Sequence, residues 1–130
     1  MLPKSEFLRL ASAGAPFSAE ELAQVESQYE AAAEAARQLR SAMPAIGFLS
    51  AAKRLNAFFA VCRHIDQLVD TGHITEAEGQ LSLLIFRVAD PSFKKASTVF
   101  ELRGNRFEAD ARAEMPRAAR QYLAGLQIYG

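Results

Sequence analysis

The chain holds one cysteine, Cys62, and no tryptophan. A lone thiol closes no intrachain disulfide, so the fold rests on packing, and the expected compartment is a reducing one, the cytoplasm. Long apolar runs are missing as well. No stretch approaches the ~18 apolar residues of a membrane helix, so no membrane partner is expected. The opening residues are interrupted by Glu6 and Arg9, which excludes a secretory core there. Net charge is absent, with 15 basic and 15 acidic side chains. That balance argues against a protein that coats nucleic acid.

Chemistry-bearing motifs are equally sparse. The seven glycines are scattered and build no phosphate loop. Cys62, His64 and His73 are too few for a standard structural zinc site, and Cys62 and His64, two apart on a helix, point to different faces. Glu-x-x-His, the mark of di-iron bundles, does not occur. No serine sits in a nucleophile elbow or beside a placed histidine. Glu26, Glu30 and Glu34 form an acidic row at i, i+4, i+8, read as a solvated helix face in which Glu34 reaches Arg37. The sequence therefore predicts no catalytic residue, no metal and no cofactor.

What is present is a helix-former's composition. Half of the 130 residues are apolar, enough for one core, and no repeat or linker divides the chain, so 1–130 is expected to form one domain. Pro3 and Gly14 bracket a short first helix. Ser18 and Glu21 form a capping box, with Phe17 and Leu22 placed as a hydrophobic staple. Behind them Leu22, Val25, Tyr29, Ala32, Ala36, Leu39 and Met43 repeat in steps of three and four, a heptad seam with alanine at its centre. A loop around Pro44 leads to a helix over about 49–69, whose seam is Ala51, Leu55, Phe58, Cys62, Ile65 and Val69, widened by Phe59. Matched lengths predict that these two helices form a long antiparallel hairpin. Gly72 stops the second of them. Thr75 and Glu78 cap a helix over 76–89, which is apolar on most sides and expected to be deeply buried, Leu84 and Phe86 included.

After Asp90-Pro91-Ser92 the apolar period shortens to two. Residues 98–103 and 106–112 alternate around Gly104-Asn105, which predicts a β-hairpin over about 98–112 with Phe100, Leu102 and Phe107 on one face. Pro116 then opens a last helix. The fold class expected is mainly α, with one β-hairpin before the final helix.

Charge is distributed unevenly. Residues 91–130 carry 7 basic and 4 acidic side chains, the only net-positive third. Lys94, Lys95, Arg103, Asn105, Arg106 and Arg112 are the expected partner-binding residues, because arginine beside a rigid turn pairs bidentately with carboxylates or phosphates. The leading expectation is a non-enzymatic adaptor or inhibitor that docks on a larger intracellular protein. Small phage and mobile-element proteins that block host machinery fit that profile. A nucleic-acid-associated protein is the second reading, weakened by the interleaved Glu101, Glu108 and Asp110, and a small enzyme or ligand carrier is the third. The chain itself is expected to be a monomer or dimer.

Overall fold

The computed structural model describes residues 19–43 and 50–129. The expected helix over 3–13 and the loop around Pro44 lie outside these residues, as do Phe17 and Ser18 of the first capping signal. Six α-helices follow: α1 (Ala19–Ala42), α2 (Ala51–Asp70), α3 (Glu76–Ala89), α4 (Pro91–Arg103), α5 (Ala109–Glu114) and α6 (Arg117–Tyr129). A 3-10 turn, Gly104–Arg106, joins α4 to α5.

The punctuation between α2 and α3 follows local chemistry. Gly72 has φ 79°, the left-handed conformation that only glycine adopts without strain. Its N–H donates to Val69 O at 3.0 Å and the His73 N–H to Leu68 O at 2.9 Å, so orphan carbonyls of α2 are satisfied in a Schellman closure. Thr75 then caps α3 reciprocally: the Glu78 N–H donates to Thr75 Oγ1 at 3.1 Å and the Thr75 N–H to Glu78 Oε1 at 2.8 Å.

The heptad seam of α1 is buried at Tyr29, Ala32, Ala36, Leu39 and Met43. Its main neighbour, however, is α3, and the expected α1–α2 hairpin is only a light contact. The two helices run in the same direction. Ala31 and Ala35 lie beside Ile74 near the start of α3, and the Arg40 guanidinium reaches Asp90 Oδ2 at 3.2 Å, just past its end. The small seam of α1 suits the bulky face of α3. On the α2 side, Gly79 lets α3 approach so closely that a Cβ there would sit 2.8 Å from Ile65 Cγ2. Within α3 the buried large apolar side chains are Leu81, Leu83, Ile85 and Phe86, while Leu84 and Val88 are 42% and 41% exposed, against the expectation for Leu84.

An aromatic cluster fills the space between α2, α4 and α6. Phe58, fully buried, stacks on Phe100 at 4.5 Å between ring centroids and on Phe93 at 5.7 Å, and meets Tyr122 edge-on at 5.4 Å. Leu55 and Phe59, on the flank of α2, are only half-buried.

The expected β-hairpin over 98–112 is absent: no strand occurs among the described residues, and helix α4 occupies the first half of that segment. Two signals outweigh the alternation. Asp90 is an N-cap, its Oδ1 accepting from the Phe93 N–H at 3.0 Å, with Pro91 in the first turn where a missing N–H costs nothing. Phe93, Ala96, Ser97 and Phe100 then repeat at i, i+3, i+4, i+7, and all four are buried. A type I′ hairpin turn needs positive φ at both central residues, yet Gly104 is helical (φ −46°, ψ −48°). Gly104 is buried, and a Cβ there would stand 3.0 Å from Leu123 Cδ1, so it packs closely against α6. Most of the second expected strand is helix α5.

Candidate partner-binding surface

Helix α4 faces two ways. Its buried line of Phe93, Ala96, Ser97 and Phe100 points into the aromatic cluster. At 100° per residue, Lys95, Thr98 and Leu102 fall on the opposite side. Leu102 is 75% exposed, the most exposed large apolar side chain among the described residues. Lys94, Lys95, Arg103 and Arg106 are exposed around it. None of these four cations forms an ion pair with a described residue.

The one acid of α4, Glu101, does not neutralise that face. It turns inward, where its Oε1 accepts from Tyr122 Oη at 3.1 Å and lies 3.2 Å from Arg87 Nε. This triad ties α3, α4 and α6 together. Burial, and then the neighbouring Glu101 charge, push the Tyr122 hydroxyl well above the usual phenol range. The phenol therefore stays protonated and donates to a carboxylate that Arg87 already holds. The outward face of α4 itself keeps its cations and presents no carboxylate.

Of the residues expected from sequence, Lys94, Lys95, Arg103 and Arg106 share one continuous helix and turn, about 18 Å long at 1.5 Å per residue. The Asn105 backbone lies in that turn; its side chain is outside the described set. Arg112 belongs to α5, is half-buried, and has its Nε shut from solvent without a hydrogen-bond partner. Sequence reasoning missed Leu102 as a surface residue, because the hairpin reading turned it toward Phe107. The helical register of Phe93 and Phe100 would have placed it outward.

The N-terminus of α6 is anchored by side chains distant in sequence. Asp66 Oδ1 accepts from the Ala118 N–H at 2.9 Å, a cap supplied by α2 where the helix dipole favours an anion. Arg117 bonds Asp70 Oδ1 at 2.8 Å, and its Nε lies 2.8 Å from Glu76 Oε1 in an ion pair whose angle falls short of a hydrogen bond. These acids are committed to holding the bundle.

A groove of about 350 Å³ runs between α2 and residues 107–116. Leu55, Phe59, Phe107 and Met115 line it, with Arg63 on the α2 wall and Glu114 on the α5 wall.

Cys62 is fully buried, and burial, with Asp66 nearby, raises its thiol well above the ordinary range, so it is an unreactive core residue. No group of three or more His, Cys, Asp or Glu side chains suited to a metal occurs among the described residues. Glu30 and Glu34 are exposed, and Glu34 is hydrogen-bonded to Arg37, which holds its carboxyl below the usual range. No helix among the described residues is long and apolar enough to cross a membrane. No family model, curated protein or solved structure matches the chain.

Proposed function

We propose that this protein acts by docking on a larger protein, as an adaptor or inhibitor, through the outward face of α4 and the turn that follows it. One observation carries the reading: Leu102 stands exposed among four cations that form no ion pair with a described residue, while Glu101 turns inward to the part-buried triad with Arg87 and Tyr122. An exposed leucine ringed by arginine and lysine is suited to a pocket rimmed by carboxylates. Burial of the leucine supplies affinity, about 1.5–3 kcal/mol when complete, and the cations supply orientation and on-rate. Arginine at positions 103 and 106 adds bidentate pairing, which lysine does not.

A nucleic-acid reading draws on the same cations. It is weakened by Glu108, Asp110 and Glu114, all exposed just beyond Arg106, which repel a phosphate track. It also leaves Leu102 without a role.

The test is affinity capture of the partner from a lysate of the native cell by wild type and by the Arg103→Glu/Arg106→Glu double variant. Circular dichroism establishes that the variant is folded. The expected result is at least a tenfold loss of capture, about 1.4 kcal/mol, that nuclease treatment does not abolish in the wild type. Undiminished capture by the double variant overturns the reading. Binding that follows a steep salt slope on DNA or RNA moves the function to nucleic acid.

A further inference from the structure

We infer that residues 108–114 form a strap that opens as one unit while the rest of the bundle stays folded, and that its opening uncovers the apolar flank of α2. Both ends of the strap are pinned. On one side Phe107 stacks on Phe100 at 5.4 Å between ring centroids. On the other, Met115 is buried just ahead of Ala118, whose N–H is held by Asp66. Phe107, Glu108 and Met115 are extended, with ψ of 127°, 161° and 148°, so α5 is set apart from its neighbours by a backbone break at each end.

Between the pins little holds the strap closed. Helix α5 has 6 residues, well short of the ~12–15 that a helix needs to persist on its own, so tertiary packing has to supply its stability. Yet it buries none of its residues and makes no more than slight contact with any other helix. Its N-cap residue, Glu108, offers no side-chain hydrogen bond to the first-turn N–H groups. The closed position also carries a cost. The Arg112 Nε is shut from solvent without a hydrogen-bond partner, and a desolvated, unpaired donor regains its hydrogen bonds when the strap swings into water. Few buried contacts and a solvated helix ladder are the marks of a segment at the low end of local stability. What the strap covers is apolar. Leu55 and Phe59, one turn apart on α2, pack on the core from below and share the groove with Ala111 and Glu114 of the strap. Opening turns these half-buried side chains into an exposed platform that begins at Phe107, the residue after Arg106. Use of that platform by a partner bound at Arg103 and Arg106 rests on the docking reading above; the opening itself does not.

The experiment follows amide hydrogen exchange of the full chain by nuclear magnetic resonance, with no partner present, so its failure leaves the docking reading untouched. The amides of residues 112–114 are compared with those of residues 58–62 in α2, in water and in urea too dilute to unfold the bundle. The strap amides should share one protection, about a hundredfold or more below that of the α2 amides. They should keep it in dilute urea, because an opening confined to 108–114 exposes little surface. Ala111 is exposed, so Ala111→Gly removes helix preference from the strap without touching the core, and it should speed strap exchange about fivefold. Uncovering is read from the reaction of a bulky maleimide with Leu55→Cys; Cys62 is fully buried and does not compete. Adding Ala111→Gly should speed that reaction by the same factor, with circular dichroism establishing that each variant is folded. Strap amides as protected as those of α2, strap amides with no protection, or a strap protection that falls with urea alongside α2 overturns the inference. So does strap exchange or a Leu55→Cys thiol unmoved by Ala111→Gly.

Discussion

Replacing Phe58 by alanine should be the most damaging single truncation in the bundle. The ring is fully buried and touches three helices at once, through Phe93 and Phe100 on α4, Tyr122 on α6 and Phe59 on its own helix. Its neighbours are themselves rings, which collapse poorly into a void, so the cost belongs at the upper end of the 3–5 kcal/mol typical of a buried Phe→Ala change. The lost stacking is already inside that figure and is not added again. A domain of this size holds about 5–15 kcal/mol in total. With a urea slope of about 2 kcal/mol per molar, the midpoint should fall by roughly 2 M. Leu102→Ala is the control: the side chain is 75% exposed, and its truncation should move the midpoint by no more than about 0.5 kcal/mol equivalent. Urea unfolding followed by far-ultraviolet circular dichroism reads both. If Phe58→Ala shifted the midpoint no further than Leu102→Ala, the aromatic cluster would not be the centre of the core.

Gly79→Ala should destabilise despite the better helix former, because the new Cβ lands 2.8 Å from Ile65 Cγ2 in a packed interface. Overpacking of about 1–3 kcal/mol outweighs a propensity gain of about 1 kcal/mol, and a raised melting temperature would contradict the close α2–α3 approach. Asp90→Ala removes the α4 cap and the Arg40 pair, and should cost about 1–2 kcal/mol, while Asp90→Asn keeps most of the cap; equal losses in chemical denaturation would show that the cap is not the source. Tyr122 and Cys62 are both raised in the folded state, so the stability they favour is complete below their ordinary values of 10.0 and 9.0 and is lost as pH rises above them. The melting temperature should therefore hold from neutral pH to about 8.5 and fall from about pH 9 upward, and a flat profile to pH 10.5 would refute the two burials.

How much of this was legible in the sequence depended on the range of the interaction. Signals complete within four or five residues were readable, the stop at Gly72 and the Thr75–Glu78 box, and so was the apolar seam of α1, whose period repeats within one helix. Partner choice was not. The alanine seam specifies that something approaches closely, and only packing decided that α3 does so instead of α2. The region after Asp90 is ambiguous because alternation over six residues also fits one exposed flank of a helix; a hairpin sets Leu102 on an apolar face opposite Phe107, whereas in the helix it is the most exposed large apolar side chain of α4. Asp90-Pro91 is a stop signal for one helix, and the same carboxylate opens the next. The withdrawal of Glu101 could not be foreseen, since Arg87 and Tyr122 lie 14 and 21 residues away. The Asp66 cap on Ala118 spans 52 residues and leaves no local trace. Lys94, Lys95, Arg103 and Arg106 are legible in the sequence as neighbours; that they share an exposed helix and turn with Leu102, and that Arg112 does not, depends on the helical register.

The most direct test of the docking reading is photo-crosslinking from Leu102 itself. A benzophenone amino acid at position 102 is compared with one at Glu30, exposed on α1, each in the full chain inside the native cell. The expected result is one dominant protein adduct from position 102, absent from position 30 and lost when Arg103 and Arg106 are both changed to glutamate. Equal, diffuse crosslinking from both positions, or adducts from 102 to nucleic acid alone, would contradict it.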